Sequence, residues 1–191
     1  GTAYLAVAGG ILTPEMLGSR STYARAGLGQ SLAPGDRLPC AVFTGDLQRD
    51  WRAARPLLHA SGPIRVMSGP QLDHFSAAAR DVFFGAAFVV TPAHDRMGLR
   101  LAGPPLQHLE RGADIVSDGV TPGAIQVPAD GQPIVLLADC QTVGGYPKIA
   151  TVIRADLPRL AHVEAGEVLR FCCVDAAEAA APPARDPRHR S

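Results

Sequence analysis

The stretch of sequence that decides the fold is residues 116–153, VSDGVTPGAIQVPADGQPIVLLADCQTVGGYPKIATVI. Glycine and proline recur throughout it, so the backbone must turn sharply several times. The apolar runs between the turns, residues 124–127, 134–138 and 149–153, predict short buried strands. Polar side chains flank these runs, where a rigid scaffold would hold them. The stretch therefore predicts a small-molecule site on a β scaffold; the alternative is a β-rich core with solvated turns.

The rest of the chain extends this pattern in both directions. Asp73 is the expected N-cap of a helix whose apolar face begins at Phe75 and continues to Phe83 with helical spacing. A second short helix is expected over residues 155–162, near Asp156 and Pro158. Further strands are expected at residues 3–8, 40–43, 64–67, 87–90, 98–101, 113–116 and 167–174. Many short strands with glycine turns and two short helices predict a mainly β protein built on a closed or nearly closed barrel.

The sequence also suggests how this architecture is divided. Residues 1–44 are expected to be the end of a first β subdomain, and residues 45–63 a connector with little periodicity. Residues 64–175 are expected to form the barrel subdomain. Residues 176–191 are rich in alanine, proline and arginine, and this composition predicts a disordered tail because it offers little apolar area to bury.

Composition excludes several classes of protein. The 191 residues carry a formal net charge of zero, which predicts neither nucleic-acid nor anionic-membrane binding. The longest nearly apolar stretch, residues 82–90, is too short to span a bilayer, and no signal peptide is visible. The four cysteines lack C-x-x-C spacing, which favours reduced thiols in a cytoplasmic protein. The six histidines are scattered without helical spacing, and no metal site is predicted.

Two residues of the deciding stretch are the candidates for catalysis. Lys148 is the one lysine among the 18 lysine and arginine residues. It follows the rigid sequence Gly-Gly-Tyr-Pro, which we expect to direct its ammonium group towards Asp139 and Gln141; a surface lysine is the alternative. Asp139 and Asp118 can each act as a general base. Asp139 is preferred because it ends an apolar strand, whereas Asp118 has the ordinary explanation of a turn.

The candidates for substrate binding are distributed more widely. Arg20 and Arg96 can clamp a carboxylate or phosphate, and surface ion pairs are their alternative role. Serine hydroxyls can donate to a carbonyl oxygen, and amide side chains at strand edges are suited to binding another amide, such as a lactam. With a tyrosine from the glycine-rich turn, the predicted substrate-binding residues are Arg20, Ser21, Arg96, Ser117, Gln126, Gln141 and Tyr146.

Several ordered motifs resemble the carboxyltransferase-like family that contains the C subunit of 5-oxoprolinase, the second subunit of allophanate hydrolase and the carboxyltransferase domain of urea carboxylase. They are Gly18-Ser19-Arg20-Ser21-Thr22, Gly69-Pro70-Gln71 with Asp73 and Phe75, residues 95–101 (DRMGLRL), residues 117–120 (SDGV), residues 122–128 (PGAIQVP), Asp139, Gln141-Thr142 and residues 144–147 (GGYP). Cys140 stands where such sequences usually carry arginine, and His162 where they often carry glutamine.

The resemblance implies a cyclophilin-like barrel, with residues 1–44 in a neighbouring β subdomain whose remainder lies upstream. It implies the C subunit of an ATP-dependent 5-oxoprolinase that opens 5-oxo-L-proline to L-glutamate, with ATP as co-substrate and the A and B subunits as partners. This chain is not expected to carry covalent biotin, because Lys148 lies between Pro147 and Ile149 whereas a biotinylated lysine is flanked by methionine. The alternatives are a carboxyltransferase component of a biotin-dependent urea carboxylase or allophanate hydrolase system, and a non-catalytic regulatory partner of a B-subunit homologue.

Overall fold

The computed structural model describes residues 5–45 and 62–181. The chain divides into two compact units, whose described parts are these same two ranges. Most of the predicted connector, residues 46–61, and the last ten residues of the predicted tail, residues 182–191, lie outside the described residues. The proposed division at residues 44, 63 and 175 therefore stays a prediction.

The described part of the first unit is held by isolated backbone contacts. In its described residues, β pairing is limited to three isolated bridges, Ile11–Cys40, Met16–Ser19 and Tyr23–Leu28. A 3-10 helix covers Ala24–Ala26. Of the strand expected at residues 3–8, residues 3 and 4 lie outside the described residues. Residues 5–8 and the strand expected at 40–43 form no strand beyond the bridge at Cys40, because a strand requires a hydrogen-bonded neighbour along its length.

The second unit contains ten strands and three short α-helices in its described residues. The strands are β1 Ile64–Ser68, β2 Phe88–Val90, β3 Gly98–Ala102, β4 Asp118–Gly119, β5 Ala124–Gln126, β6 Ile134–Leu136, β7 Val143–Gly144, β8 Lys148–Val152, β9 Val168–Leu169 and β10 Phe171–Cys173. The helices are α1 Ala77–Gly85, α2 Leu157–Leu160 and α3 Ala176–Ala180.

Eight of the strands form one sheet in the order β10-β1-β8-β5-β6-β3-β2-β9. Its two edge strands, β9 and β10, are neighbours in the chain and are separated by Arg170 alone. β9 pairs antiparallel with β2, and β10 pairs parallel with β1. The carbonyl of Arg170 accepts a hydrogen bond from the N–H of Ile64 at 2.7 Å. The continuous segment of residues 168–173 therefore connects the two edges of the sheet. The expected mainly β, barrel-like architecture is confirmed.

Phenylalanine side chains fill the barrel core. Phe83 of α1 stacks on Phe171 of β10 with ring centroids 4.8 Å apart, and both rings are almost fully buried. The helix is capped by Ser76, whose hydroxyl oxygen accepts from the N–H of Ala79 at 3.0 Å. The expectation that Asp73 is the cap is wrong, because Asp73 lies one turn earlier in a 3-10 helix, Leu72–His74.

The other helices also differ from expectation in detail. α2 follows Asp156, but the carboxylate of Asp156 does not cap it. α3 is a third α-helix at the position where the sequence predicts the start of a disordered tail. Asp175 caps it by accepting from the N–H of Glu178 at 2.8 Å, and alanine has the highest helix propensity. No helix in residues 5–45 and 62–181 has both the length and the apolar composition to cross a bilayer.

A two-stranded ribbon of β4 and β7 lies beside the main sheet. It is followed by Val120, which joins a small second cluster with Ala124 and Leu136, separate from the barrel core. The expected strand at residues 113–116 does not form; the pairing begins at Asp118, opposite Gly144. The ribbon brings β4 against β8 and β7 against β5.

Candidate functional site

Lys148 is a buried lysine on β8. Its side chain is 6% exposed, and its ammonium donates to Asp118 Oδ2 at 2.6 Å and to the carbonyl oxygen of Gly119 at 2.7 Å. Lys148 pairs across the sheet with Gln126, whose two chain neighbours both belong to the barrel core, and directly paired residues point to the same face of a sheet. Lys148 therefore lies on the side of β8 away from that core, and the surface-lysine alternative is wrong.

Asp118 is the carboxylate that receives this ammonium. Its Oδ2 also accepts from Gln71 Nε2 at 3.2 Å, and its Oδ1 accepts from the N–H of Gly119 at 2.8 Å. The hydrogen bond from Lys148, followed by those from Gly119 and Gln71, lowers the pKa of Asp118. Half of the side chain is exposed. The structure thus holds an ionised carboxylate with part of its surface open to a ligand.

Gln71 uses both ends of its amide in the same place. Its nitrogen donates to Asp118, and its Oε1 accepts from the backbone N–H of Lys148 at 3.2 Å. The preceding turn lies directly on β8: a Cβ atom on Gly69 would come within 2.1 Å of the carbonyl oxygen of Lys148. Glycine at position 69 is therefore required for this close approach.

Gln126 of β5 lies opposite Lys148 in the strand register, next to a β-bulge. It is 2% exposed, and its Nε2 donates weakly to the carbonyl oxygen of Tyr146 at 3.4 Å. Gly144 of β7 packs on this amide, since a Cβ atom there would come within 2.5 Å of Gln126 Nε2. Buried amides need hydrogen-bond partners. The turn after β7 supplies one while the ribbon holds Gln126 beside the Lys148–Asp118 pair.

We name the set Gln71, Asp118, Gln126 and Lys148 the amide–carboxylate cluster. It offers a partly exposed anion, a buried cation and two amide side chains, a combination suited to binding a small polar molecule with N–H donors. The described part of the chain contains no group of three or more histidine, cysteine, aspartate or glutamate side chains that could hold a metal ion.

The two residues predicted to be catalytic have different partners. Lys148 contacts Asp118 rather than a spot beside Asp139 and Gln141, so the expected direction of its side chain is wrong. Asp139 forms an ion pair with Arg96 at 2.8 Å in which the side chains are 42% and 80% exposed. The geometry favours Asp118 over Asp139 as the carboxylate of a binding site, because a buried lysine and a backbone N–H fix the position of Asp118, whereas the partner of Asp139 is an exposed arginine.

The remaining predicted binding residues lie in both units. Gln126 lies in the amide–carboxylate cluster, and Tyr146 contributes its backbone carbonyl there while its side chain is 40% exposed. Ser117 and Gln141 are exposed in the loops that lead into β4 and β7. Arg20 and Ser21 belong to the first unit.

Within that unit, Arg20 donates to the carbonyl of Thr13 and pairs with Glu15 at 3.5 Å. The backbone N–H of Ser21 donates to Ser19 Oγ at 3.1 Å. These contacts are local and lie on exposed side chains, so they match the alternative role proposed for Arg20, a surface ion pair.

Two members of the cluster are not the first choice of sequence analysis. Gln71 stands in the motif Gly69-Pro70-Gln71, to which the sequence alone assigns no chemical role, and Asp118 ranks behind Asp139. The available signal for Gln71 is the pair of residues before it, since glycine permits a close approach of the backbone and proline fixes its direction.

Comparison with known proteins places this chain in a family. Residues 1–173 match the family model described as carboxyltransferase domain, subdomain A and B. The chain belongs to this family. The resemblance drawn from the motifs is thereby confirmed.

Two curated relatives are named as the C subunit of 5-oxoprolinase. The protein from Escherichia coli (strain K12) is 41% identical over 175 residues, which cover 88% of this chain and 55% of the relative. The protein from Haemophilus influenzae is 36% identical over 181 residues, which cover 93% of this chain and 57% of the relative. The chain therefore spans just over half the length of these relatives, each of which is named as part of an enzyme.

A solved structure of urea amidolyase from K. lactis has the same fold. It is 26% identical, with a TM-score of 0.74, and the match covers 90% of this chain and 12% of that protein. The family therefore includes proteins named for different reactions, and identity is higher to the two 5-oxoprolinase proteins.

Proposed function

We propose that this chain is part of the C subunit of an ATP-dependent 5-oxoprolinase, which opens 5-oxo-L-proline to L-glutamate together with the A and B subunits in the cytoplasm. The observation that carries the proposal is the 41% identity over 88% of the chain to a relative named as that component of 5-oxoprolinase. The 26% identity to a urea amidolyase makes a carboxyltransferase acting on urea the second candidate.

The amide–carboxylate cluster supports a role in binding the lactam. A lactam presents an N–H donor next to a carbonyl oxygen, and the partly exposed, ionised Asp118 can accept that N–H. Gln126 adds a buried amide of the kind that pairs with another amide. We propose that Asp118 and Gln126 bind and orient the ring and that Lys148 keeps Asp118 ionised.

ATP is proposed as a co-substrate of the assembled enzyme. Two cations named as candidates are already engaged: the ammonium of Lys148 is paired with Asp118, and Arg96 is paired with Asp139 in an exposed position. A phosphate site needs cations that are free to contact it. We therefore assign lactam binding to this chain and expect the A and B subunits to contribute to nucleotide binding.

Reconstitution tests the proposal. A protein that carries this chain is co-expressed with the A and B subunits from its own genome, and L-glutamate formation is measured with 5-oxo-L-proline and ATP. We expect turnover with all three proteins and none when the protein that carries this chain is omitted. Turnover without it, or an unchanged or lower rate when it is added, would instead support the regulatory partner; carboxylation of urea with a biotin carboxylase partner would support the second candidate.

Two carboxylate variants locate the site within that experiment. Asp118→Asn removes a charged acceptor and is expected to lower kcat/KM about 10- to 100-fold, because hydrogen bonds to charged groups are among the stronger ones. Asp139→Asn makes the same change in the ion pair Arg96–Asp139 and serves as the matched variant. A large loss in Asp139→Asn with none in Asp118→Asn would move the site to Asp139.

A further inference from the structure

Both ends of the Gln71 side-chain amide form hydrogen bonds within the amide–carboxylate cluster. One end of its amide holds a side chain, the carboxylate of Asp118, at 3.2 Å, and the other end holds a backbone group, the N–H of Lys148, also at 3.2 Å. The carboxylate oxygen that Gln71 contacts, Oδ2, is the one that receives the ammonium of Lys148 at 2.6 Å. Gln71 is thus bonded directly to the backbone of Lys148 and, through Asp118, is linked to the side chain of the same lysine.

This arrangement fixes which face of the carboxylate stays open. Oδ2 is occupied by Gln71 and Lys148, whereas Oδ1 has the N–H of Gly119 as its partner. A carboxylate has about four lone-pair directions, so the free acceptor capacity is concentrated on Oδ1. Without Gln71, the carboxylate could rotate about its Cβ–Cγ bond, because terminal torsions of this type are broad.

We propose that Gln71 is a positioning residue for the reaction. Its amide holds the Asp118 carboxylate in one orientation relative to β8, so that Oδ1 faces an N–H donor of the substrate. The inference rests on the proposed function for the identity of that donor, the lactam N–H of 5-oxoproline. Gln71 itself acts through Asp118.

Two variants at position 71 separate orientation from packing. Gln71→Glu keeps the acceptor for the Lys148 N–H but replaces the donor to Asp118 with a second carboxylate. Gln71→Leu removes both contacts while it keeps a similar volume. Gln132→Leu is the matched control, because Gln132 also holds backbone groups with both ends of its amide, the N–H and C=O of Gly103, at 2.9 and 3.1 Å. Among the hydrogen bonds of the described residues, its amide has none to the cluster.

The pH response of Gln71→Glu is the decisive measurement. The charged residues that Gln71 contacts are Asp118 of β4 and Lys148 of β8. Two adjacent carboxylates share a proton at a raised pKa, and a protonated glutamic acid can donate to Asp118 as the glutamine does. In the reconstituted enzyme we expect kcat/KM of Gln71→Glu to fall roughly 10-fold or more near pH 8 and to recover relative to wild type as the pH is lowered towards about 5.

The other variants complete the test. Gln71→Leu should lose a similar factor with no recovery at low pH, and Gln132→Leu should lower the melting temperature without changing the shape of the pH profile. A Gln71→Glu profile that runs parallel to wild type, or an activity loss in Gln71→Leu that matches the loss of folded protein, would overturn the positioning role.

A separate readout distinguishes failure of this inference from failure of the proposed function. Carboxyl carbon NMR of the purified Gln71→Glu protein should show one carboxyl group that titrates well above its ordinary pKa, coupled to Asp118. Its absence would contradict the geometry whatever the substrate is. A wild-type complex that leaves 5-oxoproline intact would overturn the proposed function, and with it the assignment of the lactam N–H as the donor.

Discussion

Lys148 is enclosed by two oxygen atoms, Asp118 Oδ2 at 2.6 Å and the Gly119 carbonyl at 2.7 Å, with 6% of its side chain exposed. An ammonium group is compact and can direct its protons at both, whereas a guanidinium is planar and presents its N–H groups in a fixed fork. We therefore expect Lys148→Arg to keep the charge but to displace Asp118. The expected loss in kcat/KM of the reconstituted enzyme is roughly 10-fold, or about 1.4 kcal/mol.

The reverse exchange provides the control for this variant. Arg100 on β3 is exposed, and Arg100→Lys should leave kcat/KM and the melting temperature unchanged. Because arginine is larger than lysine and Lys148 is buried, the rates are compared per mole of folded complex, with melting measured in parallel. Wild-type kcat/KM in Lys148→Arg would remove Lys148 from the site.

At the scale of residues, the sequence predicts importance better than it predicts partners. Lys148 can be identified because it is the one lysine of the chain, and Gln126 because an amide side chain at a strand edge is suited to binding another amide. The predicted partner of Lys148 is wrong, because the choice between Asp118 and Asp139 depends on which loops pair across space. That pairing leaves no periodic signal in the residues themselves.

The β4–β7 ribbon is the element that completes the cluster, and Gly144 is its tightest point. A Cβ atom at position 144 would come within 2.5 Å of Gln126 Nε2 and 3.2 Å of Val120 Cγ1. We expect Gly144→Ala to displace the Gln126 amide and to lower kcat/KM by roughly 10-fold, since small misplacements in a site cost large factors in rate. Steady-state kinetics of the reconstituted enzyme measures the effect.

The neighbouring glycine supplies a matched control. A Cβ atom on Gly145 would have one neighbour within 4 Å, the carbonyl oxygen of Ile115 at 3.8 Å, which is ordinary contact. Gly145→Ala makes the same chemical change one residue away, and we expect kcat/KM within about twofold of wild type because no group has to move. Equal losses in the two variants would show that the ribbon tolerates no side chain there for reasons other than Gln126.

Elements with a clear apolar run are predictable from the sequence, and very short ones are not. The strands β1, β3, β5, β6 and β8 lie within a few residues of their expected bounds. The two-residue strands β4 and β7 escape prediction because a strand of that length contains no alternation to detect. They are defined by pairing with each other, and they are also the elements that build the site.

At the scale of the whole molecule, the barrel class is predictable but its closure is not. Short strands separated by glycine turns favour a barrel, and the sequence predicts a last strand over residues 167–174. That segment divides at Arg170 into β9 and β10, which form opposite edges of the sheet. The division depends on pairing with β2 and β1, which are distant in sequence. Local composition carries no information about such pairings.

A buried ion cluster ties the barrel to its second helix and is expected to set its stability in acid. Asp156 is 1% exposed. It accepts from the backbone N–H of Arg65 at 2.9 Å, from Arg65 Nη2 at 2.7 Å and from Arg159 Nη1 at 3.0 Å. Removing one partner from such a cluster leaves buried charge uncompensated, so Asp156→Asn should lower the free energy of unfolding by about 2 kcal/mol; the partial exposure of Arg65 keeps the loss below that of a fully buried pair.

The same cluster gives this variant a signature in pH. Burial alone would raise the pKa of Asp156, but the hydrogen bonds from Arg65 and the charge of Arg159 outweigh it and lower the pKa below the ordinary value of 3.8. A carboxyl group with a lowered folded pKa stabilises the protein in full above its unfolded pKa, and this stabilisation is lost as the pH falls through the folded value. Urea denaturation as a function of pH should therefore show wild type losing its advantage over Asp156→Asn below about pH 4. The exposed Asp81 on α1 supplies the control, Asp81→Asn, which should follow wild type throughout, and a constant difference between wild type and Asp156→Asn down to the acid limit would show that the ionised carboxylate contributes no stability.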